Sequence, residues 1–224
     1  DLGYSEMPKY GWLPVTVPGA PKAWISLSER FGKLPFEYLF EPAIRYASEG
    51  YPVSPVLSKY WHRAVEKFSE VLVGEEFNSW FETFTVNGRA PQVGELWKSI
   101  DQAETLRSIA QTKSDSFYKG EIANRIEQFS VEHGGFFRKS DLVNYEVQWV
   151  DPIKVDYKGF DVWEIPPNGQ GINTLMALNI LKEFKFEEKE SVETYHKQIE
   201  AMKLAFTDGL HFVSQTDEMR VTVD

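Results

Sequence analysis

Apolar residues recur at helical spacing in several stretches of this chain, and capping residues or glycines bound most of them. Apolar positions three and four residues apart fall on one face of an α-helix. We predict helices over residues 20–31, from near Glu41 to Ser48, 55–71, 99–110, 120–132, 172–184 and 192–210. Because only short stretches alternate with the period of a strand, the pattern predicts a helix-dominated α+β fold.

Serine caps indicate where three of these helices begin. Ser54 precedes Pro55, and proline is tolerated at the first helical position. Ser99 and Gln102 have the spacing of a capping box. Ser191 precedes the most regular helix of the chain. Its apolar residues at helical spacing are Val192, Tyr195, Ile199, Met202, Ala205, Phe206 and Leu210.

Strand signals are fewer and shorter. Short extended segments are predicted at residues 14–19, 83–86 and 220–223. The Asn87-Gly88 pair indicates a hairpin turn, and a second hairpin is predicted from residue 147 to 165 with its turn at Lys158-Gly159. A seam near residues 97–99 predicts two parts. Residues 1–97 would form a helical body with a short N-terminal strand, and residues 98–224 would form helices plus the hairpin.

Composition excludes several classes of protein. The 224 residues are 42% hydrophobic, which excludes a disordered chain, and area scaling gives roughly 10,500 Å² of folded surface for this mass. A net charge of −10 argues against nucleic acid as the main partner, and no apolar run approaches the ~18 residues of a membrane span. Cysteine is absent, so disulfides and thiolate sites are excluded. A start at Asp1 rather than Met indicates a processed or truncated product.

No residue pattern in the chain defines a catalytic or metal site. The four histidines, His62, His133, His196 and His211, lack the spacing of a zinc motif, and each is better explained by a structural position. Glycines at 169 and 171 come just before a predicted helix and invite a phosphate-binding hypothesis. A tight strand-to-helix turn is the better explanation, because the third glycine of a dinucleotide fingerprint is missing. The seven tryptophans are spread along the chain and favour core packing over a stacking platform.

Ordered blocks from about residue 14 to 208 resemble the gamma-glutamyltransferase (gamma-glutamyltranspeptidase) family. The blocks are Val17-Pro18-Gly19-Ala20-Pro21, Arg30-Phe31-Gly32-Lys33-Leu34-Pro35, Glu41-Pro42-Ala43-Ile44-Arg45-Tyr46-Ala47, Glu49-Gly50-Tyr51-Pro52-Val53-Ser54, Gly94-Glu95, Phe117-Tyr118-Lys119-Gly120-Glu121-Ile122-Ala123, Gly134-Gly135, Asp141-Leu142, Tyr145, Pro166-Pro167-Asn168-Gly169-Gln170-Gly171, Leu178-Asn179-Ile180-Leu181 and Glu200-Ala201-Met202-Lys203-Leu204-Ala205-Phe206-Thr207-Asp208. Their number and order carry the resemblance, since no single block is specific.

The resemblance implies part of an N-terminal nucleophile hydrolase with an αββα architecture. In such an enzyme a self-cleaved precursor exposes the N-terminal threonine of a small subunit. That threonine attacks a gamma-glutamyl amide of a glutathione-type donor, its free α-amine acts as the base, and an oxyanion hole stabilises the intermediate. None of this chain's threonines begins a Thr-Thr-His-type sequence, and the family's carboxylate-binding arginine lies upstream of the matched region. The resemblance therefore implies the central part of a large subunit, with no catalytic, substrate-binding or metal residue of its own and no cofactor. Such a chain would be inactive by itself, and its expected partner is the small subunit of the same precursor.

Two alternatives remain open at the level of sequence. Many family members read Pro-Pro-Pro-Ser-Ser-Gly-Gly where this chain has Pro166-Pro167-Asn168-Gly169-Gln170-Gly171, a variant that resembles a branch of bacterial gamma-glutamyltransferase-like and acylase-like proteins. An acylase acting on glutaryl-type amides is therefore one alternative. A non-catalytic helical scaffold or binding module is the other. We also expect residues 220–223 to form an unpaired sheet edge that promotes association. Neither a membrane nor nucleic acid is expected as a partner, and the compartment stays open.

Overall fold

The computed structural model describes residues 3–223 and consists mainly of helices. The α-helices are α1 (Ala20–Phe31), α2 (Glu41–Glu49), α3 (Pro55–Val71), α4 (Asn78–Phe84), α5 (Ile100–Thr112), α6 (Asp115–Tyr118), α7 (Glu121–Glu132), α8 (Lys139–Val143), α9 (Gly171–Leu181) and α10 (Val192–Phe212). Short 3₁₀ turns lie at Phe36–Phe40, Glu75–Phe77 and Thr216–Glu218. The strands pair antiparallel, β1 (Tyr51–Pro52) with β2 (Leu96–Trp97) and β3 (Ile153–Tyr157) with β4 (Phe160–Glu164). The predicted helix-dominated α+β fold is confirmed.

The serine caps lie where the sequence predicts them. The Ser54 hydroxyl accepts the Leu57 N–H at 3.2 Å and begins α3. The Ser191 hydroxyl accepts the Thr194 N–H at 3.1 Å and begins α10. Ser99 caps α5 in the same way, 3.4 Å from the amide nitrogen three residues later. Each cap satisfies a donor that the helix itself leaves free.

Both predicted hairpin turns are present. Asn87 and Gly88 have φ of 52° and 79°, and Lys158 and Gly159 have φ of 54° and 84°. Two consecutive positive φ values are typical of the type I′ turn, whose twist matches that of the flanking strands. The second turn joins β3 to β4, but that hairpin begins at Ile153 instead of residue 147.

Two of the predicted extended segments differ from the structure in the first half of the chain. Thr83 and Phe84 complete α4, so the segment 83–86 is reduced to one bridge between Val86 and Arg89. Residues 14–19 pair with no strand among the described residues, and at least one of their carbonyl groups is bonded to a side chain instead. For example, a hydroxyl from α6 donates to the carbonyl oxygen of Pro18.

The predicted strand at residues 220–223 is also wrong. These residues lie in no strand, although residues 221–223 line the same cleft as β3. β-branched residues favour a strand only where a partner edge is aligned with them. Within the described part of the chain, β3 pairs with β4 alone.

The chain divides into two compact units, the first ending at Val147 and the second beginning at Gln148. The seam predicted near residues 97–99 falls inside the first unit. There Trp97 of β2 pairs with Tyr51 of β1, and α5 packs against α2. Contacts that cross residue 97 therefore hold its two sides together.

Each unit has its own packing centre. In the first unit, one core cluster is formed by Phe36, Phe40, Ile109 and Ala110, and another by Tyr118, Ala123, Phe137 and Leu142. In the second unit, α9 packs against both α10 and the β3–β4 hairpin. Because α9 is apolar on most of its circumference, it forms the centre of that unit.

Candidate functional site

The glycine turn before α9 is a strand-to-helix connection. β4 ends at Glu164 and α9 begins at Gly171. A Cβ atom on Gly171 would lie 2.5 Å from a carboxylate oxygen of Glu164, so the Glu164 side chain would have to move to admit one. The carboxylate already lies beside the first residue of the helix, where a bound anion would meet like charge. This geometry favours the turn over the phosphate-binding hypothesis for residues 169–171.

The four histidines take separate structural positions. The His62 ring lies on α3 with Nδ1 2.8 Å from the carbonyl oxygen of Ser58. His133 follows the last residue of α7, and His196 and His211 are roughly four turns apart on α10. Across residues 3–223 there is no group of three or more His, Cys, Asp or Glu side chains that could hold a metal ion.

Tryptophans of the first unit pack within aromatic clusters. The Trp61 indole N–H donates to the carbonyl oxygen of Phe84 at 2.7 Å, and its ring lies 5.3 Å from that of Trp97. Trp80 packs on Phe68 at 4.8 Å. A stacking platform needs exposed ring faces, whereas these rings are half-buried among one another. For these three tryptophans the structure favours packing, whereas Trp24, Trp149 and Trp163 are partly exposed.

Three of the sequence blocks meet at one junction in the first unit. The Tyr118 hydroxyl donates to the carbonyl oxygen of Pro18 at 2.6 Å and accepts the Lys22 N–H at 3.2 Å. A Cβ on Gly19 would lie 2.2 Å from the hydroxyl oxygen of Tyr145, whose ring stacks on Tyr118. Burial raises the pKa of the Tyr118 hydroxyl, so it stays a neutral donor. These blocks have structural roles here: they anchor the segment that enters α1.

The first unit also has an apolar cleft of about 550 Å³ between α1, α2 and the Phe36–Phe40 turn. Its large lining side chains are Trp24, Leu27, Phe31, Phe36, Leu39 and Phe40. The lining also includes the hydroxyl of Ser28, but no side chain in it could act as a general acid or base for that hydroxyl. The cleft therefore has the composition of a packing or contact surface.

One face of α10 is an open feature of the second unit. The large apolar side chains exposed on it are Val192, Tyr195, Ile199, Met202, Phe206 and Leu210. We call these six residues the open stripe. Sequence reasoning identified their helical spacing but did not predict their exposure. The signal in the sequence is that Ala201, Ala205 and Gly209, the residues buried in the helix packing, each directly precede a large one.

The chain as a whole exposes more surface than a self-contained protein of its mass. Its accessible surface is 16,009 Å², against roughly 10,500 Å² expected from its mass. Even two separate compact domains of these lengths would together expose only about 12,500 Å². The described residues therefore leave surface that a closed fold would bury. No helix within residues 3–223 has the length and apolar composition needed to cross a bilayer.

Comparison with protein families gives one match over the whole chain. The family model described as Gamma-glutamyltranspeptidase matches residues 1–224. The glutathione hydrolase-like YwrD proenzyme of Bacillus subtilis is 34% identical over 196 residues, which is 87% of this chain and 36% of that relative. The chain thus spans about a third of the length of this curated relative.

Solved structures give the same picture. The crystal structure of cephalosporin acylase from Bacillus halodurans is 53% identical with a TM-score of 0.96, over 99% of this chain and 42% of that chain. The gamma-glutamyltranspeptidase of Helicobacter pylori is 26% identical with a TM-score of 0.88, over 99% of this chain and 63% of that chain.

Proposed function

Because the chain belongs to the gamma-glutamyltranspeptidase family, we propose that the full-length protein transfers or hydrolyses gamma-glutamyl groups through a threonine nucleophile outside residues 1–224. The match of the family model along the whole chain carries this proposal. The same comparisons confirm the predicted fold, a helix-dominated α+β part of the N-terminal nucleophile hydrolase architecture.

The proposed reaction has two steps. The threonine Oγ attacks the gamma-carbonyl carbon of the donor while the threonine α-amine takes the hydroxyl proton. The tetrahedral intermediate collapses, the C–N bond breaks, and the leaving amine carries that proton away. Water or an acceptor amine then attacks the acyl-enzyme ester and regenerates the threonine.

The residues of this chain serve the reaction indirectly in this proposal. The first unit supplies helical support through the junction around Tyr118 and the caps of α3 and α5. The second unit supplies helices and a hairpin to the sandwich that holds the nucleophile. We infer that the small subunit of the same precursor is the partner, in keeping with relatives that are named proenzymes.

An acylase is the second candidate, and one observation favours it. The cephalosporin acylase of Bacillus halodurans is 53% identical to this chain, whereas the Helicobacter pylori gamma-glutamyltranspeptidase is 26% identical. The variant sequence Pro166-Pro167-Asn168-Gly169-Gln170-Gly171 is consistent with it. Both candidates share the nucleophile and differ in the acyl group that is recognised.

Turnover of two anilides by the full-length protein tests the proposal. We expect hydrolysis of a gamma-glutamyl anilide, no turnover by a variant in which alanine replaces the small-subunit threonine, and two polypeptides by denaturing mass spectrometry. Turnover of only a glutaryl anilide would establish the acylase instead. A single uncleaved polypeptide that turns over neither substrate would contradict both candidates and support the alternative of a non-catalytic scaffold.

A further inference from the structure

α10 has two apolar faces, and only one of them is covered within its unit. The covered face consists of small residues where the helix packs on α9, and there a Cβ on Gly209 would lie 2.1 Å from the Asn173 side-chain oxygen. Successive residues of a helix lie about 100° apart. The large residues of the open stripe therefore form a second face, next to the face of small residues. The two faces differ in side-chain size as well as in exposure.

The described residues of the second unit cover the open stripe only in part, since even its least exposed members, Met202 and Phe206, are 37% and 41% exposed. Its hairpin packs against α9, which is already in contact with α10 through the small face. The stripe includes Val192 and Leu210, which are 88% and 78% exposed, and it extends along most of the helix. A contiguous apolar surface of this length indicates an interface.

A second open feature lies close to α10. A cleft of about 610 Å³ is lined by β3, by α9, by the C-terminal end of α10 and by Met219 and residues 221–223. Among the described residues β3 has only β4 as a partner, so its other edge offers backbone N–H and C=O groups to a further strand. One sheet-forming partner could thus cover the α10 face and pair with the β3 edge.

We propose that the open stripe of α10, together with the β3 edge, is the surface on which the small subunit of the same precursor docks. This inference rests on the partner given under the proposed function. The chain spans 36% of the Bacillus subtilis relative and 42% of the Bacillus halodurans acylase, so relatives carry ample polypeptide for this surface. The chain also has more accessible surface than its mass predicts, as expected for a chain that lacks a partner.

A second copy of the chain fits this surface less well. Two α10 helices packed stripe to stripe would cover the apolar residues but leave the β3 edge unpaired. In an αββα sandwich each helical layer packs on a sheet, and a strand supplied beside β3 would extend the two-stranded sheet in that way. The small subunit is therefore the occupant that satisfies both open features.

Site-specific photocrosslinking in the full-length protein tests the proposal. Benzoylphenylalanine replaces Ile199 in the open stripe or, as a matched control, Leu204 on the same helix. The two side chains are 57% and 58% exposed, and they lie about 140° apart around the helix. A third variant replaces Phe206, where the aromatic probe is nearest in size to the native side chain.

We expect probes at Ile199 and Phe206 to crosslink to peptides of the small-subunit segment, mapped by mass, and the probe at Leu204 to give several-fold less of that product. Crosslinks to a second copy, to another part of the large subunit, or equally from Leu204 would overturn the proposal, as would no crosslink. Because the map does not depend on turnover or on cleavage, inactive protein with the expected map would contradict only the proposed function.

Discussion

The apolar side chains of the junction around Tyr118 in the first unit are buried, whereas those of the open stripe of α10 in the second unit are exposed. At the junction, Leu142 is 0% exposed and the Tyr118 hydroxyl both donates and accepts a hydrogen bond. On the stripe, side chains of similar size face solvent, beside small residues that are fully packed. The helix α7, whose Ala123 and Ile126 belong to the core around Tyr118, and the helix α10 both have the apolar periodicity of a buried face.

The difference shows that periodicity identifies a face that is meant to be buried but not what buries it. The junction is closed by residues far apart in the chain, such as Pro18 and Tyr145. The open stripe has no such partner among the described residues of its unit. Variants at the two regions should therefore behave differently when the chain is studied alone.

The largest expected effect is at the closed junction. Leu142→Ala should lower the free energy of unfolding of the first unit by about 2–5 kcal/mol, because it removes a fully buried side chain and leaves a cavity. Ile199→Ala, in the open stripe, should change that of the second unit by no more than about 0.5 kcal/mol. Urea unfolding of the chain measures both. If both substitutions lowered the free energy of unfolding equally, the contrast between the buried junction and the open stripe would be wrong.

The second-largest effect on stability is expected from a substitution on the covered face of α10. Gly209→Ala places a Cβ against the Asn173 side chain and should cost about 1–3 kcal/mol, despite the better helix propensity of alanine. Asn173→Ala in the same molecule should recover part of that loss, since it removes the atom that clashes. A double-mutant cycle with no coupling between the two sites would contradict this close contact.

A smaller effect is expected from one hydroxyl. Tyr118→Phe leaves the Pro18 carbonyl oxygen and the Lys22 N–H without this partner and should cost about 0.5–1.5 kcal/mol. Tyr38→Phe is the control, since Tyr38 is exposed. If the two variants unfold at the same urea concentration, the hydroxyl does not hold the junction.

The smallest effect is a pH dependence in the first unit. Hydrogen bonds from the Arg89 guanidinium, at 2.8 and 3.1 Å, and from the Gln92 N–H lower the pKa of Glu95 to about 2. A carboxyl whose pKa is lower in the folded state stabilises it above its ordinary value of 4.5, and that stability is lost as the pH falls towards 2.

Nuclear magnetic resonance titration of the Glu95 carboxyl should therefore give a midpoint near 2. Arg89→Gln should move the midpoint up towards the ordinary value. A midpoint that is the same in both proteins would show that the guanidinium does not cause the shift.

Local rules predicted most of the elements. Ser54, Ser99 and Ser191 begin helices, and Lys158-Gly159 turns a hairpin, because caps and turns depend on residues a few positions apart. The segments 14–19 and 220–223 failed for the opposite reason. A strand needs a partner edge, and whether one is present is decided by distant parts of a chain.

For the open stripe of α10, the helical spacing could be predicted from the sequence but the exposure could not. The spacing of Tyr195, Ile199 and Phe206 indicates a helix face, but their exposure depends on what α9 and the hairpin leave uncovered. Alanine or glycine directly before each of Met202, Phe206 and Leu210 was the available signal. It indicates two packing faces of different depth on one helix.

Thiol labelling of α10 in the full-length protein tests the central claim most directly. This chain has no cysteine, so Ile199→Cys and Leu204→Cys each add one reactive site to it, located by peptide mass. We predict that a maleimide labels the thiol at 204 rapidly and the thiol at 199 many times more slowly, because the rest of the protein covers the open stripe. Equal labelling rates would show that the stripe stays open in the complete protein and would contradict the account.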